Sequence, residues 1–290
     1  MTKEIRQVMI VGSGVMGRGI LGTFARAGFD CLMLSRNPGK IRDLPAGARA
    51  INTPPTEPPD LVFENIIERL GPKLTLFRQL DELYAGHTIF ASNTSALSLQ
   101  TLADATSHPE MFCGIHYYQP AEEFDFCELI SVAQTSEETV TRVTEALAKT
   151  GKRAVHLKKP VIGALVNRLQ HAMLHEAFYM IEQKIVTAEE VDLVAKNLIG
   201  PRMSVTGLIE QKDLSGLDTT ALSQQGIVPH LHHGAEPIKL LQDMAAKGET
   251  GVKSGRGFYD WKKRDVPALK RQAADKLARI LAILREPAAG

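Results

Sequence analysis

The feature that most constrains this 290-residue chain is a glycine-rich turn close to its amino terminus. The apolar run at residues 8–11 predicts a buried strand, and the sequence GSGVMG at residues 12–17 leads into a helical pattern that reaches residue 27. In a strand–G-x-G-x-x-G–helix unit the glycines permit a tight turn, the approach of a pyrophosphate and close helix packing. The helix N-terminus presents free N–H groups to phosphate. An ordinary loop turn is the alternative, but the context predicts a dinucleotide site whose contacts include Gly12, Ser13, Gly14, Val15, Met16 and Gly17.

The second strand, predicted at residues 29–34, bears on the choice of nucleotide. Sites that prefer NAD have an Asp or Glu at the end of this strand, where it binds the ribose 2′-hydroxyl. This chain has Ser35 and Arg36 there, and a guanidinium pairs with a 2′-phosphate. We therefore expect NADP(H), with Ser35 and Arg36 among the contacts. NAD(H) remains possible if Arg36 is simply a solvated loop residue.

Charge and composition narrow the class of protein. With 34 Lys and Arg against 33 Asp and Glu, the net charge of +1 predicts neither nucleic-acid nor membrane partners. No apolar run approaches membrane-spanning length, and the early first strand predicts that there is no signal peptide. The three cysteines cannot form a complete disulfide set and lack metal-ligand spacing. These observations predict a cytoplasmic location.

The hydrophobic patterning predicts two domains. Residues 1–159 alternate strand and helix patterns, which indicates an α/β Rossmann-like domain that binds the dinucleotide. The proline-rich stretch 37–59 is the exception, and we expect one short helical segment followed by an extended loop there. From residue 160 onward the patterns are helical, at 161–184, 187–198, 238–247 and 267–284. This predicts an all-α domain at 160–290.

Several segments of the chain resemble the 3-hydroxyacyl-CoA dehydrogenase family, in the family's order and over most of the length. They are GSGVMGRGI, DLVFENIIERLGPKLTLF, FASNTSALSL, GIHYYQPAEEFDFCELI, VNRLQ, GLDTT and GVKSGRGFYDW. The resemblance implies a Rossmann-like domain and a helical domain with the site between them. It also implies that the helical domain at 160–290 serves substrate binding and dimerisation, so that a homodimer forms through it.

The resemblance assigns the chemistry to His116 and Glu128, which have the family's separation of twelve residues. Oxidation of a secondary alcohol needs a base for the hydroxyl proton while hydride leaves for the nicotinamide. Imidazole titrates near neutral pH, and a carboxylate can fix its tautomer and stabilise the imidazolium. Without the resemblance, a structural histidine and a solvated glutamate would be the simpler interpretation.

Other positions also match functional positions of the family. Ser95 matches a serine that hydrogen-bonds the reacting oxygen and the cofactor, and Asn167 matches an asparagine at the substrate oxygen. The alternatives are a helix N-cap for Ser95 and an ordinary polar helix residue for Asn167. Glu68, Lys73 and Lys253 match cofactor-contacting positions, with solvated surface charges as the alternative.

Histidine pairs suggest a test for metal binding. His171 and His175 lie four residues apart on a predicted helix, followed by Glu176, which is not the H-E-x-x-H order of zinc hydrolases. A second group comprises His230, His232 and His233. We expect no metal at either group.

Three departures from the family pattern concern the substrate. The helical hairpin that contacts the CoA nucleotide is missing, and the proline-rich stretch is too short to replace it. Gln119 stands where an asparagine is usual, and Glu122, Glu123 and Asp125 make a usually apolar segment acidic. That segment is either a solvated loop or an altered substrate entrance.

These features predict an NADP(H)-dependent 3-hydroxyacyl dehydrogenase or 3-ketoacyl thioester reductase, with the thioester on CoA or on a carrier protein. A dehydrogenase of a small non-thioester hydroxy acid, as in the gulonate- and carnitine-oxidising relatives, is the alternative. A nucleotide-binding structural or sensory protein without catalysis is the alternative from another class.

Overall fold

The computed structural model describes residues 3–286, and the chain divides into two compact units, Met1–Arg168 and Leu169–Gly290. The first unit contains an eight-stranded sheet in the order β3-β2-β1-β4-β5-β6-β7-β8. All neighbouring strands are parallel except β6 and β7, which are antiparallel. The strands are β1 (Gln7–Val11), β2 (Asp30–Leu34), β3 (Ala48–Ile51), β4 (Leu61–Glu64), β5 (Ile89–Ser92), β6 (Phe112–His116), β7 (Phe126–Ser131) and β8 (Arg153–Leu157).

Both faces of this sheet carry a hydrophobic core. Alternate residues of β1 point to opposite faces, so Val8 and Ile10 join one core while Met9 and Val11 join the other. Helices cover both faces, as parallel sheets require. They are α1 (Val15–Arg26), α2 (Leu70–Tyr84), α3 (Leu99–Ala103) and α4 (Glu137–Lys149).

The order of the strands places the glycine-rich turn at a topological switch point. β1 lies between β2 and β4, so the chain passes to one side of β1 first and to the other side afterwards. In open α/β sheets, ligands bind at such a point, outside the carboxyl ends of the strands. The Rossmann-like fold predicted from the sequence is confirmed.

The segment between β2 and β4 differs in part from the expectation. A 3-10 turn at Pro38–Lys40 is the short helical segment that the sequence predicted. The prediction of only loop beyond it was wrong, because β3 extends the sheet and pairs with β2. This strand is short, lies at the edge and is only partly buried, so it lacks the apolar run that marks a central strand.

The second unit is helical. Its described helices are α5 (Val166–Glu182, which begins in the first unit), α6 (Ala188–Val194), α7 (Gly200–Thr206), α8 (Glu210–Ser215), α9 (Leu217–Ile227), α10 (Lys239–Ala246) and α11 (Val266–Leu284). The three helices α7–α9 were not predicted from the sequence. They are short or only weakly amphipathic, so the periodic signal is poor.

The side chains of this helical unit are unusually exposed. Within residues 169–286, Ile238 is the one hydrophobic residue that is buried. Large apolar side chains such as Ile209 and Leu214 remain 75% and 74% exposed. Exposed apolar side chains in such number are typical of a surface that binds a partner. Over the described residues, no helix has the length and hydropathy needed to cross a bilayer.

Candidate active site

The glycine-rich turn fits a dinucleotide because each glycine meets a different steric demand. Gly12 has φ +112°, and a Cβ there would lie 2.5 Å from the Asn65 carbonyl oxygen. A Cβ on Gly17 would lie 1.9 Å from the Gly12 carbonyl oxygen, so the start of α1 can pack only without a side chain. Gly14 faces open space, with no atom within 4 Å of its Cβ position. The backbone there is free for the approach of a phosphate, and no side chain caps the helix N-terminus beside it.

The end of β2 lies next to this turn. The hydroxyls of Ser13 and Ser35 are 3.0 Å apart and hydrogen-bonded, which connects the glycine-rich turn to the strand end. Arg36 follows and is exposed. A polar, uncharged strand end followed by a free guanidinium therefore borders the nucleotide site.

His116 lies between Ser95 and Glu128 in a hydrogen-bonded chain. The His116 Nδ1 atom is 2.8 Å from Glu128 Oε2, and its Nε2 atom is 2.9 Å from Ser95 Oγ. The carboxylate can only accept, so Nδ1 carries the proton and the neutral ring accepts from Ser95 at Nε2. His116 and Glu128 are direct cross-strand partners in the antiparallel β6–β7 pair. Ser95 is not a helix N-cap, since Ser98 caps α3.

Glu128 is a buried and fully engaged carboxylate. Its Oε1 atom accepts the backbone N–H groups of Leu165 and Val166 at 2.7 and 3.1 Å. Its Oε2 atom accepts from His116 and from the Tyr118 hydroxyl. Burial by itself opposes ionisation, but these hydrogen bonds hold the pKa of Glu128 below its ordinary value. Glu128 therefore stays ionised beside the imidazole.

An ion-pair network that is buried at Lys73 and Glu64 and exposed at Glu68 adjoins the loop that carries Ser95. The Lys73 ammonium is 1% exposed, and it contacts Glu64 at 2.6 and 2.7 Å and Glu68 at 3.1 Å. Glu68 in turn accepts the Ser95 N–H at 3.0 Å and the Thr94 hydroxyl. Burial opposes its ionisation, yet Thr94 and Lys73 lower the pKa of Glu68. The cofactor contacts expected of Glu68 and Lys73 remain predictions, and the structure gives both residues a role in holding the Ser95 loop.

A cavity of about 390 Å³ brings together six of the fifteen site residues predicted from the sequence. Among the residues that line it are Met16, Asn65, Glu68, Ser95, His116 and Asn167. A second cavity of about 240 Å³ has Ser95 in its wall as well, together with Leu97, Ile130 and Ala164. Ser95 therefore borders both spaces.

Three polar residues of this site were missed by the sequence analysis. The Asn93 amide bridges Asn65 and the Tyr117 N–H, at 2.9 Å in each case, and Tyr118 contacts Glu128. The signal for the asparagines was their position directly after β4 and β5, where side chains face the ligand edge of the sheet. Nothing in the sequence distinguished Tyr118 from an ordinary aromatic residue.

The remaining expectations concern residues outside the cavities. Lys253 lies in the second unit and is exposed, so its cofactor contact stays a prediction. The Glu122 carboxylate lies against α1 next to Gly19 and does not line either cavity, so it favours the loop interpretation of the acidic segment. Within residues 3–286, no three His, Cys, Asp or Glu side chains are grouped to hold a metal ion.

Comparison with known proteins identifies the family of this chain. The model for the NAD-binding domain of 3-hydroxyacyl-CoA dehydrogenase matches residues 55–160, and the model for its C-terminal domain matches residues 163–261. A probable 3-hydroxybutyryl-CoA dehydrogenase of Bacillus subtilis is 33% identical, with 90% of this chain and 99% of the relative covered. A 5-formyl-3-hydroxy-2-methylpyridine 4-carboxylate 5-dehydrogenase of Mesorhizobium japonicum is 26% identical, with 97% and 98% covered.

Solved structures agree with this result. A crystal structure of a 5-formyl-3-hydroxy-2-methylpyridine 4-carboxylic acid 5-dehydrogenase, described as an NAD+-dependent dismutase, superimposes with a TM-score of 0.89 at 26% identity, covering 97% of this chain and 98% of that one. A 3-hydroxyacyl-CoA dehydrogenase of Archaeoglobus fulgidus gives 0.69 at 28% identity, with 96% and 99% covered.

The fold and the site thus define a nicotinamide-dependent oxidoreductase with a Rossmann-like domain followed by a helical domain. The chain belongs to the 3-hydroxyacyl-CoA dehydrogenase family. The predictions of this family and of an oxidoreductase are confirmed.

Proposed function

We propose that the protein transfers a hydride between NADP(H) and a secondary alcohol or the corresponding carbonyl, with His116 as general acid and base. The observation that carries this proposal is the chain Ser95–His116–Glu128, with contacts of 2.9 and 2.8 Å. The contact with Glu128 occupies Nδ1, so Nε2 is the ring atom that would exchange a proton with the substrate, in the place now taken by the Ser95 hydroxyl. The ring is also part of the wall of the cavity of about 390 Å³.

The residues of this chain have separate tasks. His116 Nε2 accepts the hydroxyl proton in oxidation and returns it to the carbonyl oxygen in reduction, while Glu128 stabilises the imidazolium. The Ser95 hydroxyl now occupies the place at Nε2 where the reacting oxygen would bind. Ser95 and Asn167 supply polar groups for the developing alkoxide. A bound nicotinamide supplies the hydride acceptor or donor.

Replacement of His116 by glutamine tests this role. His116→Gln keeps a polar side chain but has no titratable nitrogen, so we expect turnover to fall by about 100-fold or more while nucleotide affinity is retained. Turnover is followed by nicotinamide absorbance, and affinity by fluorescence titration. Retained turnover would remove His116 from the mechanism.

For the cofactor, we propose NADP(H) over NAD(H), because Ser35 and the exposed Arg36 end β2 without a carboxylate. Arg36→Ala should weaken NADPH binding by about 10–100-fold and change NADH binding much less, since a charged hydrogen bond to the 2′-phosphate is lost. Arg78→Ala, which removes another exposed arginine, is the matched control. Equal weakening of both nucleotides would assign the site to NAD(H).

For the substrate, we propose a compact hydroxy or carbonyl compound that lacks the CoA nucleotide. Only a 3-10 turn and β3 lie between β2 and β4, so no helical pair is present there to contact that nucleotide. The higher TM-score also belongs to the dehydrogenase of a substituted pyridine, 0.89 against 0.69 for the Archaeoglobus 3-hydroxyacyl-CoA dehydrogenase. The cavity of about 240 Å³ beside Ser95 is of a size for a small group.

A 3-hydroxyacyl or 3-ketoacyl thioester is the second candidate, favoured by the 33% identical relative named 3-hydroxybutyryl-CoA dehydrogenase. A panel of acetoacetyl-CoA, acetoacetyl-pantetheine, small hydroxy acids and aromatic aldehydes, each with both nucleotides, separates the candidates. We expect the highest kcat/KM among the compounds without thioester. Higher values for the CoA thioester would reverse this assignment, and nucleotide binding without any turnover would indicate a binding protein.

We further propose a cytoplasmic homodimer formed through the helical unit. The exposed apolar side chains of that unit need a covering surface, and the three cysteines are buried and unpaired. Sedimentation equilibrium should give twice the mass of 31.7 kDa. Leu214→Glu, which places a charge on this surface, should shift the protein toward the monomer.

A further inference from the structure

We propose that Tyr118 is a positioning residue that lowers the proton affinity of His116 by sharing its carboxylate partner. The Tyr118 hydroxyl donates to Glu128 Oε2, the same oxygen that accepts from His116 Nδ1 at 2.8 Å. The two rings also pack edge-to-face, with centroids 4.7 Å apart. Tyr118 therefore contacts both members of the His116–Glu128 dyad.

The sharing matters because Glu128 has little freedom to respond. Its carboxylate is 1% exposed, and Oε1 is occupied by two backbone N–H groups. These backbone donors come from Leu165 and Val166, at the start of α5. The Tyr118 hydroxyl therefore neutralises part of the negative charge that faces His116, and solvent does not compensate for this, because Glu128 is buried.

The sign of the effect follows from this division. A hydrogen bond donated by Tyr118 draws charge from Oε2, so Glu128 stabilises the imidazolium form of His116 less than an undivided carboxylate would. Burial, together with the adjacent carboxylate, raises the pKa of Tyr118. The phenol thus remains a donor throughout the range in which an imidazole titrates.

Other ionisable groups lie near the dyad, and the variants used in the test leave all of them in place. The Cys127 thiol adjoins Glu128, and burial raises its pKa to about 12. The charge of Lys152 opposes this rise in the pKa of Cys127, and its ammonium donates hydrogen bonds to backbone carbonyls of the loop after β6. Glu68, paired with Lys73, accepts the Ser95 N–H on the Nε2 side of His116.

The test follows the protonation of His116 by NMR in the full chain labelled with ¹⁵N-histidine, without substrate. His116→Gln assigns its signals among the nine histidines. We expect Tyr118→Phe to move the titration midpoint of His116 upward by about 0.5–1 pH unit. Tyr117→Phe is the matched control, because the Tyr117 hydroxyl lies near Thr23 and Thr150 and not at Glu128. It should leave the midpoint in place.

A second measurement uses the unaltered protein. With ¹³Cζ-tyrosine labelling, the Tyr118 signal should show an inflection at the midpoint of His116, since both groups bind one carboxylate oxygen. An unchanged or lowered midpoint in Tyr118→Phe, or no inflection in the unaltered protein, overturns the proposal. The inference rests on the proposed acid/base role of His116. Because the readout is protonation and not turnover, failure of one is distinguishable from failure of the other.

Discussion

Replacement of Lys73 by methionine should destabilise the first unit strongly, because it leaves a buried carboxylate without its cation. Lys73 is 1% exposed and Glu64 0%, and the ammonium reaches both carboxylate oxygens at 2.6 and 2.7 Å. Removal of one partner from a buried pair costs about 3–5 kcal/mol. The Ile66 N–H and the Ser92 hydroxyl still contact Glu64 at 2.7 and 2.6 Å. We therefore expect the lower end, about 3 kcal/mol.

The assay is chemical and thermal unfolding of the variants at neutral pH. A loss of about 3 kcal/mol corresponds to a fall in Tm of about 6–12 °C for a unit of this size. The control is the double variant Lys73→Met with Glu64→Gln, which removes both charges and keeps a polar group at residue 64. It should recover part of the loss, because no unpaired charge is left buried.

The outcome that contradicts this reasoning is specific. If Lys73→Met alone is within about 0.5 kcal/mol of the unaltered protein, the pair is no buried ion pair in solution. If the double variant is less stable than Lys73→Met, the loss comes from packing of the lysine stem and not from the orphaned carboxylate.

Two further predictions concern the glycine-rich turn and the dyad. Gly17→Ala should destabilise the fold and abolish nucleotide binding, since its Cβ would lie 1.9 Å from the Gly12 carbonyl oxygen. Gly14→Ala should melt normally and only weaken binding, because its Cβ meets no atom within 4 Å. Thermal melts with and without NADPH separate the two variants, and equal stability of both would contradict the close approach at Gly17. For Glu128, hydrogen bonds lower the pKa despite burial, so its contribution to stability is present above the ordinary value of 4.5 and is lost as pH falls through the folded-state pKa. The difference in unfolding free energy between the unaltered protein and Glu128→Gln should therefore shrink on acidification, and a pH-independent difference would argue against an ionised Glu128.

The sequence predicted the fold where the patterns are strong and local. The run of apolar residues before GSGVMG marked β1, and the motif itself indicated both the turn and the helix after it. The edge strand β3 and the helices α7–α9 were missed, since partly exposed elements owe their structure to neighbours distant in sequence. The domain boundary at residues 159 and 160 stays a prediction, while contacts divide the chain after Arg168.

The site was predictable to a different degree at each residue. The resemblance pointed to His116 and Glu128, and the structure places them in contact. The resemblance placed Lys73 near the cofactor but did not assign it to an ion pair, since Glu64 reads as part of a buried strand. The role of Tyr118 could not be predicted, because neither composition nor periodicity shows which carboxylate a tyrosine hydroxyl contacts in the folded chain.

The antiparallel pairing of β6 and β7 explains why two residues that are twelve positions apart in the sequence can form a hydrogen-bonded dyad. In an antiparallel pair, directly opposed residues have Cβ atoms about 4.5–5.5 Å apart, within reach of a carboxylate and an imidazole. His116 opposes Glu128 in this register. A slip of one residue would place Cys127 or Leu129 opposite His116, with the carboxylate on the other face of the sheet. The Lys152 ammonium binds the Ala121 and Phe124 carbonyls of the connecting loop. Lys152 therefore helps to hold the loop that connects the two strands carrying His116 and Glu128.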